Sequence, residues 1–184
     1  MADEQDQEAK FLKSGLNRKT ENAGLAVLLR DTRYQTLPVA LKREVLERLG
    51  APGAPHQAFD AVRTDEPERP ITALNLSGVL GSMRLVEMKT TRKPIQDDRL
   101  QGFFFGLTQS ELGLAERLGD RYLFAFIVLN THNRYGHEFF ALLTLDQLNE
   151  RIHSKRTQFQ VTLSRAAREV SAPYGSGPGT LIEL

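Results

Sequence analysis

The sequence predicts one mixed α/β domain, a sheet of parallel and antiparallel strands flanked by helices. Three observations lead there. The chain has 184 residues, enough for a single domain with a real core. Apolar residues recur with helical spacing in some segments and with strand alternation in others. The order helix, strand, strand, helix, strand, strand mixes the two types along the chain, as an α/β core requires.

Residues 1–10, "MADEQDQEAK", are polar and acidic without periodicity and are expected to be a disordered N-terminus. Order is expected from Phe11. In "FLKSGLNRKTENAGLAVLLRDTRY", Leu16, Ala23, Leu25, Ala26, Leu28 and Leu29 suit an amphipathic helix, with Thr20 or Asn17 as cap and Glu21 within it. "PVALKREVLERLG" predicts a second helix over 38–49, opened by Pro38 and stopped at Gly50. The cluster "GAPGAP" then marks a loop. "HQAFDAVR" (56–63) and "GSMRLVEMKT" (81–90) alternate as strands and are expected side by side in a hairpin or meander. In "FFFGLTQSELGLAERLGDR" the period turns helical: Thr108 and Glu111 have capping-box spacing, the helix runs from Gln109 to Leu118, and Gly119 ends it. "RYLFAFIVLN" and "HEFFALLTL" read as strands and "DQLNERIHS" as a short helix. A single domain is expected over 11–171, followed by a flexible or extended Gly/Pro/Ser-rich tail over 172–184.

Composition narrows the function classes. With 40% hydrophobic and 26% charged residues the chain falls in neither a disordered nor a membrane class. Its longest apolar run, "YLFAFIVLN", is too short to span a bilayer, and its start lacks a signal-peptide layout, so no membrane association and a cytoplasmic location are expected. No cysteine is present, which leaves oxygen and nitrogen ligands for any metal and favours hard cations. The net charge of +1 declares no nucleic-acid binder, but "MRLVEMKTTRK" and "NERIHSKRTQ" are locally basic and could track phosphates. There is no P-loop, no G-x-G-x-x-G and no G-x-S-x-G elbow. His56, His132, His137 and His153 form no i,i+4 metal pair, and His132 and His137 read as loop residues.

The chemistry resides in "FDAV" and "VEMK". Asp60 and Glu87 fall on neighbouring predicted strands, and Lys89, two positions beyond Glu87, shares its face. Two carboxylates so placed repel and resist burial unless a cation lies between them. Mg²⁺ (or Mn²⁺) suits one or two carboxylates and leaves positions for water or phosphate oxygens. A lysine beside it can position water or stabilise a developing anion, which points to phosphodiester hydrolysis. Against this stands a surface ion pair between Glu87 and Lys89 of little energetic weight.

Asp60 followed by Glu87-Met88-Lys89 resembles the PD-(D/E)xK nuclease superfamily, whose restriction-endonuclease-like core is a mixed β-sheet flanked by helices. "VEMKTT" followed by "FFFGLTQSELGLAERLGDRYLFAFIVLN" is similar to the DUF3883 type of this superfamily, related to the C-terminal domain of the plant protein NO VEIN. Phe104, Phe105, Thr108, Glu111, Leu112 and the Leu118-Gly119-Asp120-Arg121-Tyr122 turn stand in that family's places, and the likeness covers roughly 56–130. One departure is Phe59, where the superfamily name has Pro. The resemblance implies a metal-dependent endonuclease acting on DNA, with RNA a further option, in restriction or host defence and as a homodimer. It implies Asp60 and Glu87 as metal ligands, Lys89 as catalytic partner, and Glu21 as a further member of the catalytic and metal shell. The rival is a catalytically silent module of the same fold that binds nucleic acid or a partner protein.

Thr90, Thr91, Arg92 and Lys93 leave the active strand where hydroxyls and cations could meet phosphate, and Gln101 could orient water or a base. Glu111 reads as a capping residue rather than a catalyst, and Phe103, Phe104 and Phe105 as core, though one could stack on a base.

Overall fold

The structure, a computed structural model, describes residues 18–65 and 70–152. The chain divides into two units after Arg151; the fold described below is that of the first. The N-terminus 1–10, the tail 172–184, the alternative cap Asn17 and His153 lie outside the described residues.

Five strands, β1 (Tyr34–Gln35), β2 (Ala61–Arg63), β3 (Arg84–Thr91), β4 (Tyr122–Val128) and β5 (Phe139–Leu143), form one sheet in the order β1-β2-β3-β4-β5. The first three make an antiparallel meander, β3 and β4 run parallel, and β5 returns antiparallel to β4. The helices are α1 (18–28), α2 (Val39–Arg48), α3 (Leu76–Val79), α4 (Gln109–Leu118) and α5 (Leu145–Arg151). This is the mixed α/β architecture read from the sequence. Among the described residues no helix is long and apolar enough to cross a membrane.

β4 is apolar throughout because all seven of its residues are buried. Leu123, Ala125 and Ile127 pack with Val86 of β3 and with Val27 and Leu28 of α1. Side chains alternate along a strand, so Glu87 and Lys89 point to the opposite face. There Lys89 bonds Glu111 of α4 at 2.8 Å. The sheet is thus covered by α1 on one face and α4 on the other. A parallel β3–β4 join needs a crossover, and residues 92–121 supply it with α4 inside. That crossover carries the N-terminus of α4 to the carboxyl end of β3, where open α/β sheets bind their ligands.

Helix ends agree closely with the expectation. Pro38 caps α2, and Gly50 just beyond it takes φ 76°, which glycine adopts freely. Thr108 and Glu111 close a capping box on α4, and Gly119 ends it.

Elsewhere the structure corrects the reading. Thr20 lies inside α1 and is not its cap. The helical pattern does not reach Tyr34: the Asp31 carboxylate accepts the Arg33 N–H at 3.0 Å and breaks the chain into a turn before β1. The strand expected from His56 begins only at Ala61, because two carbonyls before it bond elsewhere. Ala58 O accepts the Tyr122 hydroxyl at 2.5 Å and Phe59 O accepts Lys42 Nζ at 2.5 Å. α3 was not expected; four residues are too few to show a period. Phe104, read as core, is 72% exposed.

α1 meets β3 at Gly24. A Cβ there would stand 2.3 Å from Thr90 Oγ1 and 2.9 Å from its Cγ2. Alanine normally improves a helix interior over glycine by about 1 kcal/mol. Here Gly24→Ala is expected instead to destabilise by about 1–3 kcal/mol through overpacking, with much of the loss recovered by adding Thr90→Ala. Urea denaturation of the single and double variants checks this, and a neutral or stabilised Gly24→Ala would contradict the packing.

Candidate active site

Asp60 stands just before β2, one residue ahead of the last ladder pair, Ala61 with Val86. Its N–H donates to Val86 O at 2.9 Å, and its Oδ2 accepts the Met88 N–H at 2.8 Å. The carboxylate therefore takes the place a backbone carbonyl would hold if the ladder continued. This fixes Asp60 beside Glu87, with Oδ1 uncommitted among the described residues.

Glu87 is buried, and its side chain retains only 8% exposure. Oε1 accepts Lys89 Nζ at 2.8 Å, while Oε2 is buried with no hydrogen-bond partner among the described residues. Burial, then the neighbouring Asp60 charge, pushes the Glu87 acid up to about 8 against the pull of Lys89. Lys89 Nζ also donates to Glu111 Oε2 at 2.8 Å. That oxygen accepts the Thr108 N–H at 3.1 Å, and Thr108 Oγ1 accepts the Glu111 N–H at 3.2 Å. Burial lowers the Lys89 pKa, but the Glu87 charge and the bonds to Glu111 and Glu87 outweigh it, and the net shift is upward. Lys89 is thus held between two carboxyl groups, one on β3 and one at the N-terminus of α4. Glu87, crowded by Asp60, keeps its proton more readily.

These groups open onto a cleft of about 610 Å³, which also includes Glu21 and Thr20 on its wall. Asp60, Glu87, Lys89 and Glu21 all line this one cleft. Thr90 reaches the cleft as well, but its hydroxyl is buried without a partner among the described residues and lies at Gly24 of α1. Thr91, Arg92, Lys93 and Gln101 do not line it. Thr91 Oγ1 accepts the Lys93 N–H at 3.1 Å in a local turn, and Arg92 Nε donates to Thr20 Oγ1 at 3.2 Å at the border of the cleft. Lys93 and Gln101 are exposed beyond it. His132 and His137 stand in the β4–β5 loop, as read.

Three further groups stand at the site. Glu111 is a cap, as expected, and also the second anion on Lys89. Its spacing to Thr108 betrayed the cap; only the crossover reveals the lysine. Lys42 of α2 holds Phe59 O, the carbonyl preceding Asp60, and lies 4.6 Å from the Phe59 ring centre. Burial lowers its pKa, opposed by the charges of Asp60 and Glu87. No sequence signal marked it. The third is Phe104, exposed in the cleft rather than packed in the core.

Among the described residues no group of three or more acidic or histidine side chains converges to hold a metal ion. Glu21 rises from the helix on the Val86 face, whereas Glu87 points to the α4 face, so the two approach the cleft from opposite sides of β3. The donor set that remains, Asp60 Oδ1 and the orphaned Glu87 Oε2, fits a hard divalent cation that completes its shell with water and phosphate oxygens. No family model, no curated protein and no solved structure matches this chain.

Proposed function

We propose that the chain is a metal-dependent endonuclease of the PD-(D/E)xK, restriction-endonuclease-like kind, hydrolysing phosphodiester bonds of DNA in the cytoplasm, as a homodimer, in restriction or host defence. The observation that carries this reading is the buried Glu87 Oε2, without a partner beside Asp60 and Lys89 in an open cleft. An unsatisfied carboxylate oxygen is costly to bury, and a divalent cation would satisfy it. Asp60 and Glu87 would hold Mg²⁺ or Mn²⁺. The chemistry such a cation supplies when bound is a more acidic water and neutralised phosphate charge.

The chain's own residues do the rest. Lys89 uses two of its three N–H donors on Glu87 and Glu111; the third is left for an attacking water or a phosphoryl oxygen. Glu111 keeps the lysine charged and in place through the helix cap. Lys42 steadies the peptide ahead of Asp60. A homodimer would present two such clefts, one to each strand.

One observation favours the silent-module reading: Lys89 is already engaged by two carboxylates. Nicking of supercoiled plasmid decides between them. The wild type is expected to cleave with Mg²⁺ or Mn²⁺, to stop with chelator, and to lose about 100- to 1000-fold or more in rate on Asp60→Asn. A wild type that shifts DNA in a gel but never cuts it, in either metal, would replace the enzyme with a binding module.

A further inference from the structure

The crossover between β3 and α4 carries an aromatic arrangement that phosphodiester hydrolysis does not require. Phe103 and Phe105 turn inward onto Phe126 of β4, edge to face, with ring centres 5.1 and 4.9 Å away. Phe126 is the register partner of Lys89. In an extended segment alternate side chains face opposite ways. Pinning Phe103 and Phe105 therefore forces Phe104 outward, where it is 72% exposed and forms part of the cleft that holds Asp60, Glu87 and Lys89. The chain enters this segment through Leu100 at φ 60° and Gly102 at φ 81°. A bulky non-glycine residue with positive φ is uncommon and marks a turn held by its surroundings. A phenyl ring held out on such a footing loses little freedom when a partner covers it.

The cleft thus offers two chemistries side by side: carboxylates and an ammonium suited to a cation-bridged phosphate, and an apolar planar face. A nucleotide has both complements. In intact duplex the faces of each base are covered by its neighbours, and the ring could meet one only after the base left the stack. We propose that Phe104 is a stacking platform for an unpaired base beside the scissile phosphate, so that the preferred substrate is single-stranded or locally opened DNA. This rests on reading the cleft as a nucleic-acid site.

The test titrates the full chain into a single-stranded oligonucleotide containing 2-aminopurine, and into the same strand in duplex, with Ca²⁺ present. The wild type is expected to bind the single strand more tightly and quench its fluorescence. Phe104→Ala should weaken that binding about five- to 100-fold, Phe104→Trp should restore it, and duplex binding should change little in either. Equal binding and quenching by wild type and Phe104→Ala, a preference for duplex, or no binding to either form would each overturn the proposal. Cleavage by the same proteins in Mn²⁺ separates it from the nuclease reading. Cleavage indifferent to Phe104 and to strandedness leaves a nuclease without a platform; Phe104-dependent quenching without cleavage leaves the platform on a protein that is not a nuclease.

Discussion

Lys89→Met is expected to abolish cleavage and to destabilise the fold by about 3–5 kcal/mol at pH 8, the cost of removing one partner from a buried ion pair. In the native protein one ammonium lies 2.8 Å from Glu87 and 2.8 Å from Glu111, with all three side chains largely buried. Methionine keeps the volume and removes the charge, so two carboxyls are left to face each other and Asp60 without a cation. Glu87 then holds its proton more tightly than in the wild type.

The pH dependence follows from that. The folded pKa of Lys89 is raised, so its contribution is fully present below the ordinary lysine range and is lost only as the pH climbs through the raised value. The wild type thus keeps this pairing at every neutral pH. In the variant Glu87 loses the lysine that opposes its upward shift, so its acid is held above the wild-type value of about 8, and stability goes on falling with pH where the wild type levels off. The difference between variant and wild type should be smaller near pH 6 and widest near pH 9, where it amounts to a melting temperature lower by on the order of 10 °C. Thermal denaturation at the two pH values measures it. Equal destabilisation at both would mean that the lysine acts through packing and not as the cation of a buried network.

The same network shows what sequence can and cannot convey. The period-two spacing of Glu87 and Lys89 placed both on one face of a strand, and the Thr108–Glu111 spacing placed a cap; both are local features, and both stand in the structure. The bond between Lys89 and Glu111 spans 22 residues and exists only because a parallel β3–β4 pair drives the chain through a crossover. Nothing in either motif encodes it. Strong elements were legible for the same reason: the fully buried β4 and the capped α4 carry their signals in a single window. The two-residue β1 and the four-residue α3 are shorter than any window. Glu21 shows a different limit. It lines the cleft wall, but helix α1 lies across the sheet from Glu87, and facing is decided by packing between elements distant in sequence.

Glu87→Gln should separate the electrostatic tuning of the site from its shape. Glutamine retains the size and one carbonyl to accept from Lys89, and it resembles the protonated acid. In the wild type the Glu87 pKa is raised to about 8, so between about pH 4.5 and 8 the folded chain holds a proton that the unfolded chain has released. Stability must then fall with rising pH across that window, by up to about 1.4 kcal/mol per pH unit, and level off above it. Glutamine has no proton to lose. Without metal, Glu87→Gln is therefore expected to match the wild type near pH 5 and to exceed it at pH 8. Saturating Mg²⁺ should reverse the order. An ion bound between Asp60 and Glu87 favours the ionised carboxylate, so it should release a proton near neutral pH and raise wild-type stability more at pH 8 than at pH 5. The variant, lacking one of the two ligands, should gain little at either. Denaturation with chelator and with Mg²⁺ at both pH values gives the four comparisons, and a pH-indicator titration detects the released proton. If Mg²⁺ stabilises Glu87→Gln as much as the wild type, the ion binds elsewhere, and the orphaned Oε2 is a cost of burial rather than the mark of a metal site.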